Sequence, residues 1–150
     1  MIYVDASVAV KWILEEERSD LAMALYEAVV QADRSIVAPP LLPLEVINIL
    51  RQRMRVNLEV FITDATAQLD DFLALPIDYH IPVGLHHRAL VLADALGLPA
   101  TYDAHYLALA EHLGCELWTD DLRLIQHVAT SLPFVRWIGD HPARVEGVAP

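Results

Sequence analysis

A single cysteine, Cys115, excludes both an internal disulfide and a cysteine-based zinc cluster. Beside an expected strand it reads as a small buried hydrophobe, and a reducing cytoplasm suits such a chain. No apolar run reaches the ~18 residues that a membrane-spanning helix needs. The opening Met1-Ile2-Tyr3-Val4-Asp5 meets an acid at once and lacks the basic head of a secretory signal, so none is expected. Positive charge is scarce. Ten Lys and Arg stand against 21 Asp and Glu, a formal net charge of -11, which argues against nucleic-acid binding through overall charge. It does not exclude a nucleic-acid substrate, because a bound cation neutralises carboxylates locally. There is no His-Glu-x-x-His. His86 and His87 are adjacent and cannot share a helix face, and His105 and His112 are seven apart, too far for one ion. The histidines read as surface or half-buried groups.

What the chain does have is apolar content, 55% against 21% charged, in 150 residues. That supports one globular domain, 1-150, with one sizeable core. No repeat or linker interrupts it, and 139-150, rich in Gly, Pro and charge, is expected to be loose.

Short β-rich runs alternate with helical ones. Strands are expected at Ile2-Tyr3-Val4, Ile36-Val37-Ala38, Ile77-Asp78-Tyr79, 116-119 and 134-137. Helices are expected over 6-14, 20-32, 41-54, 58-73, 82-96, 103-113 and 122-130, with Pro43 confined to a first turn and Gly97 as a stop signal. In the third helix, Leu44, Ile47, Leu50 and Met54 fit a core face. The pattern implies α/β architecture around a mostly parallel sheet of four to five strands. Ligands of such sheets bind beyond the C-terminal strand ends.

Four acidic positions fall at that edge. Asp5 and the Asp120/Asp121 pair follow strands; Glu45 and Asp103 lie in early turns of helices. Crowded carboxylates repel unless a cation intervenes. Hard oxygen donors without a Cys or His site point to Mg²⁺ or Mn²⁺, one ion or two, which suits phosphodiester hydrolysis. Asp5 and Asp103 are the expected direct ligands, Asp121 a ligand directly or through water, and Glu45 a holder of a second ion or of the attacking water. Asn48, one turn beyond Glu45, would position that side chain or a phosphate. Thr119 would hydrogen-bond a ligand carboxylate, Ser7 would cap its helix or support a ligand, and Asp120 competes with Asp121. Lys11 and Arg51, the latter clustered with Arg53 and Arg55, are candidate substrate contacts on a basic lip, although a solvated face is the plainer reading of the arginines. Trp12, Trp118 and Trp137 read as packing.

Ile2-Tyr3-Val4-Asp5-Ala6-Ser7 resembles the opening of a PIN domain. Glu45-Val46-Ile47-Asn48 resembles its second motif, an acid followed three residues later by Asn. Tyr102-Asp103-Ala104-His105-Tyr106-Leu107-Ala108-Leu109-Ala110 is similar to its third. Leu117-Trp118-Thr119-Asp120-Asp121 resembles the fourth, Thr, any residue, then Asp, and that mapping favours Asp121 over Asp120. The likeness covers about the whole chain and is nearest to VapC-type toxins. It implies a three-layer α/β/α sandwich, Mg²⁺- or Mn²⁺-dependent endoribonuclease activity, homodimerisation and inhibition by a VapB-type antitoxin. Surplus apolar residues in the second to fourth helices would suit a dimer seam or an antitoxin helix. Two other readings compete. A phosphoaspartyl hydrolase of the haloacid-dehalogenase kind would want an acid where Ser7 stands. A non-catalytic binding module would use the acids only to hold an ion or partner.

Overall fold

Ile2–Val4 forms the central strand, β1, and all three of its side chains are buried. A parallel strand covered on both faces reads as an unbroken apolar run, and Ile-Tyr-Val is one. The computed structural model describes residues 1–57, 59–128 and 130–142. In chain order β1 is followed by a one-turn helix α1 (Ala6–Ala9), a 3-10 turn (Val10–Trp12), α2 (Ser19–Gln31), β2 (Ile36–Ala38), α3 (Leu42–Val56) and α4 (Ile62–Leu73). Then come β3 (Ile77–Tyr79), α5 (Leu85–Leu96), α6 (Tyr102–Leu113), β4 (Leu117–Thr119), α7 (Leu122–Val128), β5 (Val135–Trp137) and a 3-10 turn (Ile138–Asp140).

The sheet order is β3-β2-β1-β4-β5, and every pairing is parallel. Helices cover it on both sides, giving the α/β/α sandwich. The chain steps outward from β1 through β2 to β3, then returns to the other side of β1 with β4. The pair β1/β4, in register at Val4 and Trp118, is therefore the place where the winding reverses. A crevice opens at such a point, outside the carboxyl ends of the strands. Asp5 and Thr119-Asp120-Asp121 emerge there.

Helix α6 is the most deeply set. Ala104, Tyr106, Leu107, Ala108, Leu109 and Ala110 are all buried, so the helix is apolar nearly all round. Burying each leucine contributes about 1.5–3 kcal/mol. Gly114 ends it with φ 62°, a left-handed turn that glycine adopts without strain.

Three expectations need correction. The first helix does not run to residue 14. After one turn the chain tightens into the 3-10 segment, where Trp12 Nε1 donates to Ala22 O at 2.9 Å and Lys11 turns inward. In α3 the buried row is Leu42, Val46 and Leu50, whereas Leu44 and Ile47 are exposed. This i, i+4 row leaves Glu45 at the rim of the core rather than in open water. Arg51, Arg53 and Arg55 lie within α3. Of the segment expected to be loose, Gly139 and Asp140 sit in the last 3-10 turn behind a buried Ile138; 143–150 lies outside the described residues, as does residue 58, the expected start of α4.

Candidate active site

Asp5 is the N-cap of α1. Its Oδ1 accepts from Ser7 N at 3.0 Å, Val8 N at 3.3 Å and Ser7 Oγ at 2.5 Å, and its Oδ2 accepts from Thr119 Oγ1 at 2.5 Å. A capping carboxylate satisfies helix N–H groups that otherwise lack partners. The side chain is thereby fixed across the β1/β4 junction. Thr119, fully buried, also accepts from Asp121 N at 3.0 Å, and Ser7 Oγ accepts from Asp120 N at 2.7 Å. Ser7 and Thr119 thus brace the acid from two elements.

Glu45 enters from the first turn of α3. Its partner is not Asn48 but Tyr106 of α6, whose hydroxyl donates to Oε2 at 2.5 Å. The Tyr106 ring packs against Tyr3, centroids 5.7 Å apart. Burial first, then the Glu45 charge, drives the Tyr106 hydroxyl well above its ordinary pKa, so it remains a donor. Asp103 lies one turn earlier on the same helix, half-buried.

The charges of these acids reach one another. Burial pushes Asp5 up to about 6, against the pull of its bonds from Ser7, Thr119 and Val8, and the Asp103 charge pushes it further. Burial likewise pushes Glu45 up to about 7; the Tyr106 bond opposes this, and Asp5 and Asp103 add to it. Asp103 is raised by burial and by Asp121, with Arg123 pulling the other way. Asp5, Glu45, Asp103 and Asp121 are thus linked by their charges around the mouth, although as the side chains stand no three His, Cys, Asp or Glu among the described residues are close enough to share an ion. A cleft of ≈ 470 Å³ reaches the mouth past Ala6, Leu41, Leu44, Glu45, Asn48, Ile49 and Tyr102. A second, of ≈ 450 Å³, is lined by Ser7, Lys11, Asp120, Asp121 and Arg123 and meets the first at Ile49.

The PIN domain family matches residues 2–130. VapC ribonuclease Mb0985 of Mycobacterium bovis and ribonuclease VapC9 of Mycobacterium tuberculosis are each 34% identical to the chain over 124 residues, 83% of its length and 88% of theirs. The chain belongs to the PIN domain family, with VapC-type relatives. One of the positions singled out in this PIN domain is held in a way the sequence does not suggest. Asp120 is taken up by cations: Arg18 grips it with Nε at 2.7 Å and Nη2 at 3.2 Å, Lys11 Nζ stands 3.0 Å away, and Trp137 Nε1 donates to it at 3.3 Å. Burial would raise this acid, but the bonds and charges of Arg18 and Lys11 outweigh it and hold it below the usual carboxylate range. Asp121 instead caps α7, its Oδ1 accepting from Arg123 N at 2.8 Å and Leu124 N at 3.3 Å.

Lys11 is built into the fold rather than set out on a lip. It is 6% exposed and saturated by Asp120, by Glu16 Oε2 at 3.3 Å and by the carbonyl of Glu17 at 2.8 Å. A buried cation without its partners is costly, and so is the anion it leaves. Lys11→Met is expected to lose about 2 kcal/mol in urea unfolding, less than a fully orphaned charge would cost because Arg18 still holds Asp120. A loss under 0.5 kcal/mol would mean the network is ornamental. Arg51 is exposed, as a solvated face requires.

The residue that sequence reasoning missed is Tyr106. Its place in the third motif assigns it no task. Replacing it with Phe keeps the packing on Tyr3 and removes the bond to Glu45. We expect about a tenfold fall in turnover, roughly 1.5 kcal/mol, with little change in thermal midpoint. An unchanged rate in Tyr106→Phe would reduce the hydroxyl to a structural detail.

Proposed function

We propose that this PIN domain is a Mg²⁺- or Mn²⁺-dependent endoribonuclease and the toxin of a VapBC-type pair. The observation that carries the reading is the uncompensated charge at the mouth. Asp5, Glu45 and Asp103 are buried or half-buried; the Asp103 charge raises Asp5, Asp5 and Asp103 raise Glu45, and Asp121 raises Asp103, while Lys11 and Arg18 are committed to Asp120. A hard divalent cation matches that oxygen donor set. Asp5 and Asp103 would hold it, with Asp121 helping directly or through water. When bound, it supplies charge stabilisation on the phosphate oxygens and an acidified water.

The chain's own residues do the rest. Ser7, Thr119 and the Val8 N–H fix Asp5 so that its carboxylate needs no reorganisation. Tyr106 anchors Glu45, which orients a water or a second ion. The groove that passes Ile49 carries Arg53 on one flank and Arg123 on the other. Local positive charge of this kind can hold a phosphate chain despite the acidic whole. The names of the relatives support ribonuclease chemistry, and family membership displaces the phosphoaspartyl alternative.

Apolar side chains left uncovered on α3 and at the start of α4, Leu44, Ile47, Phe61 and Ile62, offer a seat for a VapB-type antitoxin segment or for a second copy in a homodimer. The test uses purified protein with a structured RNA. Cleavage should require Mn²⁺ or Mg²⁺, stop with EDTA, return on adding metal and stop again with the antitoxin encoded beside it. Cleavage undiminished by EDTA would overturn the metal mechanism. Light scattering that finds only a monomer would remove the homodimer.

A further inference from the structure

We infer that the cleft beside Glu45 is a nucleobase subsite, in which Tyr102 stacks on a base next to the scissile phosphate and Asn48 bonds the edge of that base. The inference deepens the ribonuclease reading and rests on it. Tyr102 stands immediately before Asp103, at the first position of α6, and is 64% exposed. The buried face of that helix begins at Ala104, so the core does not use the Tyr102 ring. The ring instead lines the ≈ 470 Å³ cleft that reaches the mouth, together with Ala6, Leu41, Ile49, Glu45 and Asn48. Glu45 belongs to both the cleft and the mouth, so an occupant of the cleft lies beside the reacting group.

The chemistry of the walls chooses the occupant. Among the described residues no Lys or Arg lines this cleft, and Glu45, its one acid, repels phosphate. The cations stand elsewhere. Arg123 lines the second cleft and Arg53 the groove along α3, and all three depressions meet at Ile49. A run of phosphates therefore follows the arginines, while the cleft at Tyr102 takes a flat, uncharged group with a polar edge. A nucleobase is such a group. Every base has a π-face for an aromatic ring, and unpaired RNA bases are recognised by stacking combined with hydrogen bonds to their edges. Asn48 supplies the polar contact. It is exposed, and its side-chain amide has no hydrogen-bond partner among the described residues, because Tyr106 holds Glu45 in its place. That amide offers donors and an acceptor together. A base can enter the cleft only if it is unpaired, so the subsite selects single-stranded RNA.

The experiment reads fluorescence anisotropy of a short labelled single-stranded RNA with cleavage-resistant phosphorothioate linkages, in Mn²⁺, while an abasic residue is walked along it. In the parent protein one abasic position should weaken binding about tenfold, the worth of one stacked base. Tyr102→Ala should weaken binding of the intact RNA about tenfold and lose the penalty at that position, and Tyr102→Phe should restore both. Asn48→Ala should keep the penalty but narrow the preference among the four bases there. Tyr79→Ala, at an exposed aromatic on the outer strand β3, should match the parent. A parent with no abasic penalty, parent affinity in Tyr102→Ala, or a penalty that survives in that variant would each overturn the subsite. Self-association lost in Tyr102→Ala with RNA affinity unchanged would give the ring to a second copy instead. Cleavage plays no part in these readings. A parent that shows the penalty yet cuts no RNA would sink the nuclease and keep the subsite, and one that cuts RNA without the penalty would do the reverse.

Discussion

Asp5→Asn and Asp103→Asn are each expected to slow RNA cleavage by about a thousandfold or more, roughly 4 kcal/mol of barrier, while the fold survives. The two variants fail for the same reason. Each removes a negative oxygen from a mouth whose remaining acids cannot move in to replace it. Asp5 is pinned by Ser7, Val8 and Thr119, and Asp103 by the buried helix behind it. Asparagine keeps an oxygen that can accept from Ser7 N and Val8 N, so the α1 cap persists and circular dichroism should match the parent. Asp120→Asn provides the contrast. Its carboxylate belongs to Arg18 and Lys11, so that variant should lose stability in the first instance, whereas Asp121→Asn should lose cleavage. Cleavage retained in either Asp5→Asn or Asp103→Asn would strip that acid of its role.

Much of this arrangement could be read along the chain. The three inner strands are short runs of apolar or β-branched residues, the two outer ones carry Asp78 and Arg136 at their centres, and the alternation of strands with helices places the acids at one sheet edge. What could not be read is what depends on partners distant in sequence. Lys11 follows Asp5 closely and so resembles part of a basic lip; only the fold shows Asp120 reaching it from beyond β4. Arg18 is equally mute in sequence, yet it decides between two adjacent aspartates. Tyr106 meets Glu45 across 61 residues, and His86 meets His105 across 19. Periodicity along a single helix cannot express contacts between helices. The α3 core face is ambiguous in sequence for a related reason. Leu44, Ile47 and Leu50 satisfy the 3.6-residue rhythm as well as Leu42, Val46 and Leu50 do, and the choice is made by what packs against the helix.

The same crowding that suits a cation makes a definite demand on the metal-free protein. The folded-state pKa of Asp5 is about 6 against an ordinary 3.8, and that of Glu45 about 7 against 4.5. Between those limits the folded state binds more protons than the unfolded one, so stability must fall as pH rises. Well below the unfolded values both states are protonated and the contribution is fully present; it is lost as pH rises through the folded values of about 6 and about 7. A tenfold change in proton affinity is worth about 1.4 kcal/mol, and the two acids share a field that water partly screens, so a combined loss of about 3 kcal/mol is expected across the window. Urea unfolding in EDTA at pH 5 and at pH 8 measures it. Glu45→Gln, which can still accept from Tyr106, should recover about 1–2 kcal/mol at pH 8 and flatten the curve, whereas Asp71→Asn on the exposed face of α4 should do neither. Adding Mn²⁺ at pH 8 should stabilise the parent more than Glu45→Gln, because the ion takes over the compensation that protons provide at low pH. Stability that is flat or rises from pH 5 to pH 8 in EDTA, with Glu45→Gln indistinguishable from the parent, would show that the carboxylates do not strain the fold and that the mouth has no need of a cation.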